Sequence, residues 1–362
     1  MKQWLALAAA AATWSCSSDS AKTESTADTA KPAAAMATGA GVDLTGAGAT
    51  FPQPLYNKWM SEYAAKTGVK INYQAIGSGG GIRQFTEGTV DFGATDAPMS
   101  DEDMAKLKAP AFHIPMIVGV VAIGYNLPEV PQPLKLTGPV VAEIFLGKIT
   151  KWNDTRIAAL NAGVTLPKTD ILVVHRSEGS GTTYIFSEYL SLVSPAWKSG
   201  PGTGKELQWP VGLGAKGNES VTGQVKQTPG SLGYMELAYA KQSRLGIALM
   251  QNAAGQFVAP TAEAATAAAE DATAALGAKT DYRVSIVNAK SPAAYPIASF
   301  TWLLVSAQQT DATKGKKLAD FLRWALADGQ KDASALDYAP LPPSLVTKLM
   351  PRIDSIAPRV TP

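Results

Sequence analysis

Three stretches of the chain share one grammar, small residues with a hydroxyl among them set at the start of a helix. They are Gly46-Ala47-Gly48-Ala49-Thr50-Phe51-Pro52, Gly77-Ser78-Gly79-Gly80-Gly81 and Glu178-Gly179-Ser180-Gly181-Thr182. A helix N-terminus has backbone N–H groups without intrahelical partners and carries partial positive charge, so it binds tetrahedral oxyanions without a basic patch. Glycine lets the backbone come close, and Ser or Thr adds a hydroxyl donor. Taken singly, each stretch also fits an ordinary cap or loop; three in one chain point to one shared anion. Arg176 stands at the end of a predicted strand and offers a planar fork of donors that matches an oxyanion, with Glu178 two residues on to hold the fork. The alternative for that pair is a surface ion pair of little worth. Asp96 follows Val90-Asp91-Phe92-Gly93-Ala94-Thr95, at the carboxyl end of a short strand, the usual ligand edge of open α/β sheets. Its alternative is a cap for the helix that begins near Ser100.

The elements needed to position these groups are legible from Leu44 onward, where strand and helix patterns alternate in the manner of α/β domains with largely parallel sheets. Val69, Ile71, Tyr73 and Ala75 alternate with polar residues, the period of a half-buried strand. Leu55, Tyr56, Trp59 and Tyr63 fall on one side of a helix whose first turn suits Pro52. Two long apolar runs, Ile114 to Tyr125 and Pro296 to Ser306, read as central strands and, as a pair crossing between lobes, as a clamp hinge. This predicts a discontinuous first lobe, 44–126 plus 295–362, with a second lobe, 127–294, inserted. The Ala-rich stretch from Thr261 to Leu276 has high helix propensity and is predicted as a surface helix of the second lobe. Ile144 to Asp154 is predicted as a further helix there, with Trp152 in the core.

With 362 residues, 46% of them apolar, the chain has enough to bury a sizeable core. Its formal net charge of +2 is too small for the whole-molecule field to gather nucleic acid or an anionic membrane, so an anion site has to be made locally. The first sixteen residues read as an export signal: Lys2, an apolar stretch from Leu5 to Ala12, then small residues up to Cys16, the single cysteine. That position suits lipid attachment, and a lone cysteine rules out disulfides within the chain. Residues 17–43, poor in large apolar side chains, read as a flexible tether. The expected place of the folded part is therefore extracytoplasmic, periplasmic or otherwise, touching a membrane only through the lipid. Neither a metal nor a cofactor is expected.

In these motifs, and in Ile144 to Asp154 and Lys216-Gly217-Asn218, the chain resembles the phosphate-binding proteins of bacterial phosphate ABC importers, from Leu44 to about Pro343. The resemblance implies a two-lobed class II periplasmic-binding fold, two sheets flanked by helices and joined by a two-strand hinge, closing over inorganic phosphate without changing it chemically. It implies donors from Ala49, Thr50 and Phe51, from Ser78, and from Ser180, Gly181 and Thr182, with Arg176 as the charged contact and Glu178 as its acidic partner. It also implies a monomer that delivers phosphate to membrane permease subunits. Asp96 would accept a proton carried by the anion. A carboxylate facing an anion is repulsive unless the anion brings a proton, as phosphate does near neutral pH and sulfate does not. A site built around such a bond rejects an analogue lacking it by roughly 10⁴–10⁵.

Other readings are a receptor for sulfate or molybdate, a surface phosphate scavenger or adhesin, and a serine hydrolase using Ser180 or Ser78. The hydrolase needs a base from His113 or His175, and neither lies in a triad pattern. A nucleotide-binding loop at Gly200 to Lys205 fails, because Ser199 stands where the first glycine belongs and Glu206 where a Ser or Thr is needed.

Overall fold

The computed structural model describes residues 43–130, 133–270, 272 and 275–356. The expected export signal with Cys16, all of the expected tether but Asp43, and the last six residues of the expected first lobe lie outside the described residues.

Among the described residues the strands are β1 Leu44–Gly48, β2 Ile71–Ala75, β3 Phe92–Thr95, β4 Ala111–Tyr125, β5 Lys135–Leu136, β6 Leu172–Arg176, β7 Leu213–Ala215, β8 Ser231–Glu236, β9 Gly246–Ile247, β10 Leu249–Gln251, β11 Phe257–Val258 and β12 Ala298–Ser306. The α-helices are α1 Gln53–Thr67, α2 Ser78–Glu87, α3 Asp101–Ala105, α4 Gly138–Phe145, α5 Thr155–Leu160, α6 Gly181–Val193, α7 Pro195–Ser199, α8 Gly217–Gln227, α9 Leu237–Gln242, α10 Ala262–Glu270, α11 Ala312–Ala327 and α12 Pro343–Ile356.

Both apolar runs expected at the hinge are strands, and they pair antiparallel along their length. The strand order is β2-β1-β3-β12-β4-β8-β6-β7, with β9 also on β4. On one side β1, β2 and β3 are parallel, and β12 and β4 close that half antiparallel. Beyond Val120 the same β4 leaves β12 and pairs with β8, next to which β6 and β7 run parallel. A 15-residue strand is about 50 Å long at the usual rise, enough to belong to both halves. Phe112 is its one residue that is not buried, as a strand covered on both faces requires. Pro115 donates no ladder hydrogen bond, and the register slips opposite it, between Thr301 and Trp302, the usual accommodation of a strand proline. That slip sits where Thr301 reaches the site described below.

α1 buries Leu55, Tyr56, Trp59 and Tyr63, as its period predicts, and follows Pro52 directly. β2 is half-buried in strict alternation. Two expectations need correction. The segment Ile144 to Asp154 is not a helix: α4 ends at Phe145, Gly147 takes a left-handed φ of 71°, and a turn leads to Asp154, which caps α5 through the N–H of Arg156. Trp152 is nevertheless fully buried, its Nε1 donating to Gly230 O at 2.8 Å. The Ala-rich helix α10 is shorter than expected and is not a surface helix of one lobe. It packs on β4 and β12, with Ala264, Ala265, Ala268 and Ala269 buried, because only methyl-sized side chains let a helix lie that close to the hinge strands. Among the described residues no helix is long and apolar enough to cross a membrane.

Candidate functional site

The first helix start is built by tying its carbonyls away. Ala49 O, Thr50 O and Phe51 O accept hydroxyls from Tyr73, Tyr239 and Tyr338 at 2.6, 2.6 and 2.7 Å. In a trans peptide the next residue's N–H points opposite to the carbonyl. Fixing Ala49 O and Thr50 O outward therefore turns the N–H groups of Thr50 and Phe51 the other way, and neither has a partner among the described residues. Pro52 has no N–H to orient.

The second and third starts face each other. Gly77 caps α2 with a φ of 90°, which glycine alone adopts without strain, and the N–H of Ser78 behind it has no partner among the described residues. Ser180 caps α6, accepting from the N–H of Thr183 at 3.1 Å, and leaves the N–H groups of Gly181 and Thr182 without partners among the described residues. The N–H of Gly79 donates to Gly179 O at 2.8 Å. Gly181 lies so close to the second start that a Cβ there would collide with Ser78 Oγ and stand 2.6 Å from Asp96 Oδ2. Ser78, Ser180 and Thr182 are fully buried, and Thr50 nearly so.

Arg176 ends β6 and is 2% exposed. Its Nε donates to Glu178 Oε1 at 2.9 Å, Nη2 donates to the same oxygen, and Nη1 donates to Thr182 Oγ1 at 3.1 Å. Three of the guanidinium's five N–H donors are thereby spent, and two, one on each terminal nitrogen, are left for an acceptor in the site. Glu178 Oε1 also accepts the N–H of Gly217 at 2.9 Å, so one carboxylate holds both the fork and the start of α8.

Asp96, just past β3, is 2% exposed. Its Oδ1 accepts from Thr301 Oγ1 at 2.7 Å and its Oδ2 from Ser78 Oγ at 3.4 Å. Burial lifts its pKa to about 7, against the opposing pull of the Thr301 hydrogen bond, the Arg176 charge and the Ser78 hydroxyl. The assembly sets N–H and O–H donors beside the buried Asp96 carboxyl, which is able to accept, and this suits an oxyanion bearing a proton. Among the described residues no cluster of His, Cys, Asp and Glu could hold a metal ion.

The model of the PBP superfamily domain matches residues 20–328. The phosphate-binding protein PstS of Xylella fastidiosa is 48% identical over 309 residues, 85% of this chain and 84% of that protein. The chain belongs to the PstS family of phosphate-binding proteins. The PstS of Pasteurella multocida is likewise 48% identical, over 84% of this chain and 88% of its own length. Among solved structures, the phosphate-binding protein from Stenotrophomonas maltophilia superposes with a TM-score of 0.69 at 21% identity, covering 85% of this chain and 93% of that one. A high affinity periplasmic phosphate-binding protein bound with phosphate gives 0.67 at 20% identity, over 88% and 100%. At those identities they attest the fold.

For this PstS family member the structure brings Thr50, Phe51, Ser78, Asp96, Arg176, Glu178, Ser180, Gly181 and Thr182 into one buried cluster. Two expectations shift. Ala49 has no donor to offer: its N–H donates to Ala94 O at 3.0 Å, because the parallel β1–β3 ladder continues one residue beyond β1. Ser180 has no free amide either, since its N–H donates to Lys205 O at 2.9 Å, and it keeps only its hydroxyl. Sequence reasoning missed Thr301, the three tyrosines and Asn218, whose N–H and Nδ2 donate to Thr50 Oγ1 at 3.2 and 2.9 Å. Lys216-Gly217-Asn218 was visible as a motif, and a small residue before a polar one at a fourth helix start was the available signal. Neither histidine touches a candidate serine. His113 is buried, with Nε2 accepting from Met99 N–H and Nδ1 2.6 Å from Asp281. His175 stacks on Trp209, its Nδ1 2.9 Å from Arg176 O.

Proposed function

We propose that the protein captures inorganic phosphate in the cleft between its lobes, leaves it chemically unchanged and delivers it to the permease of a phosphate ABC importer. The observation that carries this reading is the donor set: amides on Thr50, Phe51, Ser78, Gly181 and Thr182 without a partner among the described residues, hydroxyls on Thr50, Ser180 and Thr182, two guanidinium N–H groups, and Asp96 as a buried acceptor. Relatives about half identical over most of the chain are phosphate-binding proteins by name, which supports phosphate over sulfate or molybdate. The lobes run 44–126 plus 295–362 and 127–294, with β4 and β12 as the hinge. The protein works outside the cytoplasm as a monomer, anchored through Cys16.

Calorimetric titration of the soluble part from Gly41 onward, refolded to strip resident ligand, tests the reading. Phosphate binds tightly and sulfate gives no heat, while Asp96→Asn loses discrimination and takes sulfate. A folded protein that takes up no phosphate, or takes sulfate equally well, overturns it.

A further inference from the structure

Asn218 is the second residue of α8, fully buried, and every polar group it carries is paired. Its Oδ1 accepts the backbone N–H of Glu236 at 3.0 Å. A backbone N–H is only ever a donor, so this bond fixes which way the amide faces and sends both Nδ2 protons to the other side. There they meet two hydroxyls, Thr50 Oγ1 at 2.9 Å and Thr182 Oγ1 at 3.1 Å. Each hydroxyl has one proton and two lone pairs. Thr50 Oγ1 takes a second bond from the Asn218 N–H at 3.2 Å, and Thr182 Oγ1 takes one from Arg176 Nη1 at 3.1 Å. Both oxygens are thus saturated as acceptors, and the one valence left on each is its own O–H.

We infer that Asn218 is a positioning residue for the anion: it locks the hydroxyls of Thr50 and Thr182 as donors toward the ligand, and does so only when the lobes are closed. The inference rests on the phosphate reading above. Without Asn218 each hydroxyl is free to turn its proton elsewhere, and the freedom has to be given up on binding. Thr50 belongs to the β1–α1 side of the cleft, while Thr182 and Asn218 stand on the β6–β8 side, so the Asn218–Thr50 bonds exist only across a shut clamp. The anchor of the amide, Glu236, ends β8 where it pairs with Val121 of β4, the first residue past the stretch of β4 that pairs with β12. One buried amide therefore couples the hinge to the direction of two ligand-facing protons.

The test uses inorganic phosphate, titrated into stripped wild type, Asn218→Ala, Thr50→Val and the double variant, with ligand-free thermal unfolding recorded for each. Asn218→Ala weakens phosphate binding by about ten- to a hundredfold, the size expected when hydrogen bonds to a charged ligand lose their orientation. In stopped-flow the loss appears in the dissociation rate, with association changed less than about twofold. The effect of Asn218→Ala shrinks in the Thr50→Val background, because part of what the amide does is done through that hydroxyl. A fold defect behaves otherwise, lowering the fraction of competent sites, leaving the dissociation rate of the rest unchanged and adding independently to Thr50→Val. That pattern, or an Asn218→Ala protein of wild-type affinity, overturns the inference. Failure of wild type itself to bind phosphate strikes the proposed function instead.

Discussion

Asp96 is a carboxyl held against its own ionisation. Two hydroxyls donate to it and Arg176 lends it a positive charge, yet its removal from water outweighs all three and its pKa stands near 7. In the unfolded chain it ionises near 3.8. Below about pH 4 the carboxyl is protonated in both states and costs nothing. Between pH 4 and 7 the unfolded chain has released a proton that the folded one keeps, so stability falls as pH rises, and above 7 the loss is constant. Three units correspond to at most about 4 kcal/mol. The ligand-free Asp96→Asn protein is therefore expected to unfold at a higher temperature than wild type at pH 8, with the gap closing toward pH 4. Glu236, whose pKa burial also raises, acts in the same direction in both proteins and cancels in the difference. An Asp96→Asn protein no more stable than wild type at pH 8 refutes the penalty. The same residue would be a poor choice for stability alone, which agrees with the ligand role proposed for it.

At the scale of elements, α2 begins with three glycines in its first turn, each costing a helix about 1 kcal/mol against alanine. The contacts explain the choice. A Cβ on Gly81 would stand 2.5 Å from Gly48 Cα and one on Gly79 2.9 Å from Gly179 Cα, so the first lets α2 lie on β1 and the second lets two helix starts meet backbone to backbone. Gly79→Ala is expected to act with opposite signs on two measurements. It raises the ligand-free unfolding temperature slightly through helix propensity, and it weakens phosphate binding at least about tenfold by holding the lobes apart. Equal affinity in Gly79→Ala shows that closure does not bring these backbones together. This level also marks what the sequence makes legible. Strand and helix alternation, the two long apolar runs as strands, and Arg176 with Glu178 are readable because their signals are local. Thr301 pairs with Asp96 across 205 residues and Asn218 with Thr50 across 168, and no local pattern announces a partner so distant. Ala49 was misjudged as a donor for a related reason, since its N–H is claimed by a neighbouring strand that spacing along one segment does not reveal.

Over the whole molecule, a chain of this length has room for two separate hydrophobic cores, and a clamp that must flex would be served by them. The packing is otherwise. β4 is shared, pairing with β12 over its first part and β8 over its last, and apart from a small satellite of Ile82, Phe85, Met99, Ala111 and Leu304 the buried apolar side chains of both halves form one continuous cluster from Leu44 and Trp59 through Val118 and Val121 to Trp152, Phe186 and Trp197. Buried polar bonds stitch the same seam, among them Tyr338 Oη to Glu236 Oε2 at 3.0 Å and Tyr239 Oη to Thr50 O. Neither lobe can lose its half of β4 without exposing the other's core. Ligand-free protein is therefore expected to unfold in one cooperative transition, with tryptophan fluorescence, which reports Trp59 and Trp302 on one side and Trp152 and Trp197 on the other, superimposing on far-ultraviolet circular dichroism. Phosphate at a hundred times its dissociation constant moves both curves together, by about 2.7 kcal/mol. Two resolved transitions, only one of them shifted by phosphate, would mean that the lobes carry independent cores and that β4 joins them without coupling their stability.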